Sequence, residues 1–199
     1  MNDKKDWTGN KAACFATLAA SNHSKLNRAS HDYYATDPKA VEKLLEYEKF
    51  NKNILEPCCG EGHISKVLIA NGYEVVSQDL IDRGYGVGGI DFLTYKEKWN
   101  GDIITNPPYR QALEFVDKSI DIISNGSRVA MLLKIQFLES QSRLKFFKKH
   151  PPKLVYVFSK RTNCVRNGKF EDYKSSAVCY CWFIWEKGFK GERIIRWIE

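Results

Sequence analysis

Apolar and polar positions change their period several times along this chain, and the changes mark out its elements. From Asp37-Pro38 onward, Val41, Leu44 and Leu45 recur at helical spacing. Asp37 suits the N-cap, because a short carboxylate accepts from the free amides of a first turn. Pro38 suits the turn itself, where an N–H would have no partner. Short apolar runs then alternate with helical stripes. Lys52–Glu56 predicts a strand, and Ile64, Val67, Leu68 and Ile69 a helix. Glu74–Gln78 and Asp102–Thr105 read as further strands. Leu113, Val116, Ile120 and Ile123 stripe a helix over Ala112–Ile123, and Ser127–Leu133 and Leu154–Phe158 are strands again. Such alternation predicts an α/β fold, a parallel sheet with helices on both faces. The end differs: the apolar and aromatic run Ala177–Trp185 leads through Lys187-Gly188 and Lys190-Gly191 to Arg193–Ile198. That pair predicts a closing antiparallel hairpin at a sheet edge. Residues 1–31 are polar without sustained periodicity, which predicts a flexible arm with a short helix around Ala12–Ala20.

The 199 residues fit one domain with a substantial core. A net charge of +7 is compatible with a nucleic-acid partner without proving one. The mixed-charge start and the short, mild run at Ala12–Ala20 predict no membrane span and a cytoplasmic protein. Of the six cysteines (14, 58, 59, 164, 179 and 181) none forms a C-x-x-C pair. Histidines 23, 31, 63 and 150 do not fall at zinc-ligand spacing, so free thiols and no metal are expected.

Candidate chemistry centres on Asn106-Pro107-Pro108-Tyr109, at the end of the strand Asp102–Thr105. Two prolines fix φ and remove two donors, leaving carbonyl oxygens without local partners. The Asn side chain adds an acceptor and the Tyr a flat face for stacking. Rigid acceptors beside a ring suit a planar group bearing NH2: adenine, cytosine or a carboxamide. On this motif alone, a Pro-Pro that merely ends a strand is also open. Upstream, Ile54–His63 reads as strand, tight turn and helix start, with Gly60 and Gly62 allowing close approach of a ligand to free N–H groups. A plain strand–helix turn explains that pattern nearly as well. Asp79 lies 17 residues beyond Gly62, placed to accept from ribose hydroxyls, with Asp82 as a competitor in the loop. Asp91 could accept from an adenine amine and Phe92 could cover a purine face.

Taken in order, Tyr33-Tyr34-Ala35-Thr36, Glu56-Pro57-Cys58-Cys59-Gly60-Glu61-Gly62, Asp79, Asp91-Phe92-Leu93 and Asn106-Pro107-Pro108-Tyr109 resemble the N6-adenine class of S-adenosylmethionine-dependent DNA methyltransferases, and in particular its small phage and prophage forms. The resemblance covers residues 32–199, since Tyr180–Gly188 also looks like the final hairpin of that family. It implies a Rossmann-like class I methyltransferase domain: a seven-stranded, mostly parallel sheet with a C-terminal antiparallel hairpin, and no separate target-recognition domain. The cofactor would be S-adenosylmethionine. Tyr34 and Thr36 would touch its methionine part, with Glu56, Pro57, Gly60 and Gly62 lining it. Asp79, with Leu80 beside it, would hold the ribose, and Asp91 and Phe92 the adenine. Asn106, Pro107, Pro108 and Tyr109 would act on the substrate amine.

The partner implied is DNA, with RNA possible and no membrane. Lys160 and Arg161 should emerge where a parallel strand ends, and phosphate contact is a reasonable role for them. The wider basic stretch from Arg143 to Lys174 reads equally as a solvated surface. Other families with this motif methylate adenine in RNA or glutamine in proteins. A non-catalytic methyltransferase-like binding subunit is a further alternative. Oligomeric state and target sequence are not legible.

Overall fold

The computed structural model describes residues 33–162, 164–166 and 178–199. The expected arm and its short helix lie outside the described residues, as does most of the segment between Thr162 and Val178. Helix α1 (Pro38–Tyr47) starts as its sequence predicts, with Asp37 Oδ1 accepting from the Lys39 N–H at 3.0 Å. Its buried face, Ala40, Val41, Leu44 and Leu45, packs on the sheet. There Trp182 Nε1 donates to the Ala40 carbonyl at 2.8 Å.

Strands β2 (Asn53–Glu56), β3 (Glu74–Ser77), β4 (Asp102–Thr105) and β5 (Arg128–Lys134) run parallel. Helix α2 (His63–Ala70) connects the first two, and α3 (Ala112–Ile122) connects β4 to β5. After β5 come α4 (Gln141–Lys149), β6 (Leu154–Phe158), β8 (Tyr180–Glu186) and β9 (Ile194–Ile198). The seven strands are ordered β3-β2-β4-β5-β8-β6-β9. Strand β8 is antiparallel to both β5 and β6, whereas β9 is parallel to β6.

The last two strands therefore run in opposite directions, as expected, but they do not pair with each other. Strand β6 lies between them, and the reason is burial. Tyr180 to Trp185 are buried without alternation, the signature of a strand covered on both faces, so β8 sits inside the sheet. Strand β9 leaves Ile195 54% and Trp197 65% exposed and forms the edge.

Neighbouring residues in the central strands face opposite cores. Ile54, Ile104, Leu132 and Trp182 pack with α1 and α2, whereas Leu55, Ile103, Met131 and Phe183 pack with α3. A separate two-stranded ribbon pairs β1 (Tyr34–Thr36) with β7 (Cys164–Arg166), Thr36 opposite Cys164. Among the described residues no helix is long and apolar enough to cross a membrane.

Candidate active site

A cavity of about 630 Å³ opens at the carboxyl ends of β2, β3 and β4. The chain leaves β2 towards β3 on one side and finds β4 on the other, so the helices diverge and a crevice remains. Glu56, Pro57 and Cys58 line it from β2, Asp79 and Leu80 from β3, and Asn106 and Pro108 from β4. Tyr34, Thr36, Asp91 and Phe92 complete the expected residues in its walls.

The glycine turn is conformationally demanding. Gly60 and Gly62 have φ of +54° and +80°, and a Cβ on either would run into the ring of Tyr33 or Tyr85 respectively. Asp79 fastens this turn to β3: its Oδ2 accepts from the Gly60 N–H at 2.8 Å and its Oδ1 from the Ile81 N–H at 2.9 Å. Asp82 instead accepts from the Gly84 N–H at 2.9 Å, within its own exposed loop. Asp91 caps the short 3-10 turn Phe92–Thr94 by accepting from the Leu93 N–H at 3.0 Å. Phe92 is buried, packed on Phe115 with ring centroids 5.3 Å apart.

Glu56 is buried, and its carboxylate accepts from the Ser65 hydroxyl, which also bonds the Ser77 hydroxyl at 2.6 Å. Burial pushes this carboxyl well above the usual carboxylate range, and the nearby charge of Asp79 adds to the rise.

Asn106 is held from one side only. Its Nδ2 donates to the Tyr34 carbonyl at 3.1 Å and to Thr36 Oγ1 at 3.0 Å, with Cys164 Sγ at 3.8 Å. A backbone carbonyl can only accept, so the amide nitrogen must face it and the orientation is determined. Asn106 Oδ1 is buried and has no hydrogen-bond partner. Leaving a buried acceptor unmet costs about 1–3 kcal/mol. The ribbon of β1 and β7 thus presents an oriented, unfilled acceptor beside the cavity.

The remaining predicted residues stand apart. Pro107 and Tyr109 do not line the cavity, and neither do Gly60 and Gly62, whose N–H groups are taken by Asp79 and the Cys59 carbonyl. The Tyr109 ring packs between Tyr34 and Tyr180, both at 6.1 Å between centroids, with Lys134 Nζ 4.9 Å from its centre. Burial beside Cys164 and Tyr180 pushes its phenol well above the ordinary range. Lys160 and Arg161 are exposed just beyond β6, on the carboxyl edge but outside the cavity walls. Several neighbouring basic residues have structural partners: Arg143 donates to the Gln136 and Glu139 carbonyls, and Lys149 pairs with Asp117.

Residues not singled out from the sequence also line the cavity: Ile81, Arg83, Arg110, Gln111 and Phe115. Ile81, Arg83, Arg110 and Gln111 lie in turns without periodicity, and Phe115 on α3 falls between the stripe positions Leu113 and Val116, so no local signal marks them.

No family model and no curated protein matches the chain in sequence. Solved structures do match in shape. A candidate class I S-adenosylmethionine-dependent methyltransferase from Listeria monocytogenes aligns at TM-score 0.55 and 14% identity, over 94% of this chain and 71% of its own. A candidate RNA methyltransferase from Pyrococcus horikoshii aligns at TM-score 0.55 and 13% identity, over 87% of this chain and 96% of its own. The 23S rRNA methyltransferase ErmE aligns at TM-score 0.54 and 18% identity, over 79% and 72%. The fold is that of the class I methyltransferases. In that frame the cavity lies where the Gly60 turn, Asp79 and Asn106 converge from three adjacent strands.

Proposed function

We propose that this chain transfers a methyl group from S-adenosylmethionine to the N6 amino group of adenine in DNA. The observation that carries the reading is Asn106 Oδ1, an oriented and buried acceptor with no donor, on a residue that lines a cavity large enough for a nucleoside.

The residues present fit the cofactor. Asp79 offers remaining lone pairs to ribose hydroxyls, and one Asp91 oxygen makes no hydrogen bond among the described residues. The buried Glu56 favours a cationic tail. When bound, the cofactor supplies a sulfonium methyl, an electrophile that leaves sulfur for an amine nitrogen as that nitrogen gives up a proton. An adenine amine is a poor nucleophile because its lone pair is delocalised into the ring. Asn106 Oδ1 and the Pro107 carbonyl, accepting both amine hydrogens, favour a pyramidal nitrogen with the lone pair freed. For Tyr109 to stack on the base, its ring must swing from between Tyr34 and Tyr180 and clear the Lys134 ammonium. Positioning and electrostatics carry the rate. The base must be single-stranded or extruded, at a cost of a few kcal/mol. Lys160 and Arg161 steady the phosphates.

The order of motifs from Tyr34 to Tyr109 favours DNA, and the +7 charge suits either nucleic acid. Two of the similar folds are named as RNA methyltransferases, which makes RNA the second class to test. Labelled cofactor incubated with separate DNA, RNA and protein pools decides: label in DNA supports the reading, label only in RNA or protein redirects it, and label in none favours a binding subunit.

A further inference from the structure

We infer that Arg83, laid flat on Tyr33, is the seat for the carboxylate of the cofactor's amino-acid tail. This rests on the methyl-transfer reading. The loop after β3 folds back over the glycine turn and is tied to the strand it leaves. The Val87 N–H donates to the Ser77 carbonyl at 2.9 Å, the Asp79 N–H to the Val87 carbonyl at 3.0 Å, and the Ile90 N–H to the Asp79 carbonyl at 3.0 Å. Tyr85 in that loop covers Gly62. Arg83 is therefore carried on a fixed frame.

Its guanidinium carbon sits 4.3 Å from the centre of the Tyr33 ring, and that ring rests on Gly60. The Tyr33 hydroxyl accepts from the Glu61 N–H at 3.3 Å, which holds the ring in place. A guanidinium stacked on a ring has its plane fixed while its N–H edge stays free for a carboxylate. Here that edge is unmet: Arg83 Nε is buried without a partner, and Arg83 lines the cavity. No hydrogen bond or ion pair engages the guanidinium among the described residues.

The charges in the cavity walls call for such a group. Asp79 and Asp91 line it, a pair that suits a ligand's cations and repels its carboxylate, and Glu56 joins them whenever it is ionised. Arg110, the other guanidinium in the walls, follows Tyr109 at the substrate end. His63 is held below its ordinary pKa by burial, which favours its neutral form. Among the described residues two cations stand at the glycine turn: Lys66 donates to the Glu61 carbonyl at 2.8 Å and lies outside the cavity walls, which leaves Arg83 as the one that lines the cavity there.

The test is calorimetry on the full chain with two ligands that share the nucleoside: S-adenosylhomocysteine, which has the amino-acid tail, and 5′-methylthioadenosine, which lacks it. Arg83→Met should weaken the first by about ten- to a hundredfold, the range of one charge-assisted contact, and leave the second unchanged. Retained binding of the second ligand also shows that the variant is folded. Tyr33→Leu, which removes the shelf, should show the same selectivity to a smaller degree. Equal weakening of both ligands, or of neither, overturns the assignment while the methyl-transfer reading stands. A wild-type chain that binds neither ligand sinks both.

Discussion

Strand β4 has a polar side chain at each end, and the two are treated in opposite ways. At its start Asp102 is 3% exposed and fully engaged: Oδ2 accepts from the Asn51 N–H at 2.6 Å and Oδ1 from the Arg128 N–H at 2.7 Å. Arg128 reaches on to Glu186 at 3.2 Å and Glu48 at 3.0 Å, while Lys153 meets Glu186 at 2.7 Å. Beyond the other end of the strand Asn106 has its donor half satisfied and its acceptor half empty. Arg83 Nε, across the same cavity, is unmet as well. The Asp102 network is complete by itself, whereas Asn106 and Arg83 are completed only by something that binds. Of the buried polar side-chain atoms without partners among the described residues, Ser119 Oγ alone belongs to α3 rather than to the carboxyl edge. Unpaired buried groups lower stability, so their concentration at one edge marks where binding repays the cost.

The sharpest way to break this contrast is at its open end. Asn106→Ala should reduce methyl transfer by about a thousandfold, comparable with loss of an oriented hydrogen-bonding group at a reacting centre. Cofactor affinity by calorimetry should be almost unchanged, while the denaturation midpoint should fall modestly, because the Tyr34 carbonyl and Thr36 Oγ1 lose the Asn106 donor. At the closed end, Asp102→Ala removes the acceptor of the partly buried Asn51 and Arg128 N–H groups. Urea denaturation should show a loss of about 1–3 kcal/mol, and activity per folded molecule should persist. A large loss of chemistry with intact stability in that variant would dissolve the contrast.

Asp79→Ala should weaken cofactor binding by about ten- to a hundredfold, since it removes a carboxylate and also frees the Gly60 turn. The smallest effect concerns Glu56. Its folded-state pKa is raised above the ordinary 4.5 by burial, so its contribution to stability is full below 4.5 and is lost as pH rises through the raised value. A bound cation favours the ionised form, so in that window S-adenosylmethionine should bind more tightly as pH rises and expel a proton. Calorimetry in two buffers of different ionisation heat reads the proton directly. Glu56→Gln should abolish the difference, and an unchanged difference would clear Glu56 of the role.

Much of this was legible because it is local. Asp37-Pro38 announces the start of α1, and the run Asp102–Thr105 ending in Asn-Pro-Pro-Tyr announces both a strand and an acceptor cluster. The place of Asp79 at a strand end follows from the same reasoning, but its bond to Gly60 does not, because that depends on which strand lies next to which. The pairing of β9 with β6 instead of β8 is equally non-local: the sequence of the two runs predicts an edge hairpin, and only the fold shows Tyr180–Trp185 buried inside the sheet. The ribbon of β1 and β7 is too short for any alternation to appear, yet it orients the Asn106 amide. Arg83 sits in a glycine-rich loop without periodicity, and its unmet edge emerges only when Tyr33 arrives from far up the chain. The ring of Tyr109 was read as an open stacking face, whereas its position depends on Tyr34, Tyr180 and Lys134.

The most direct test of the account is mass spectrometry of nucleosides from DNA incubated with S-adenosylmethionine and either the wild-type chain or Asn106→Ala. The account predicts N6-methyladenine with the wild type, and none with a variant that still binds S-adenosylhomocysteine at wild-type affinity. Undiminished N6-methyladenine with Asn106→Ala, or methylation of DNA at another atom, would contradict it.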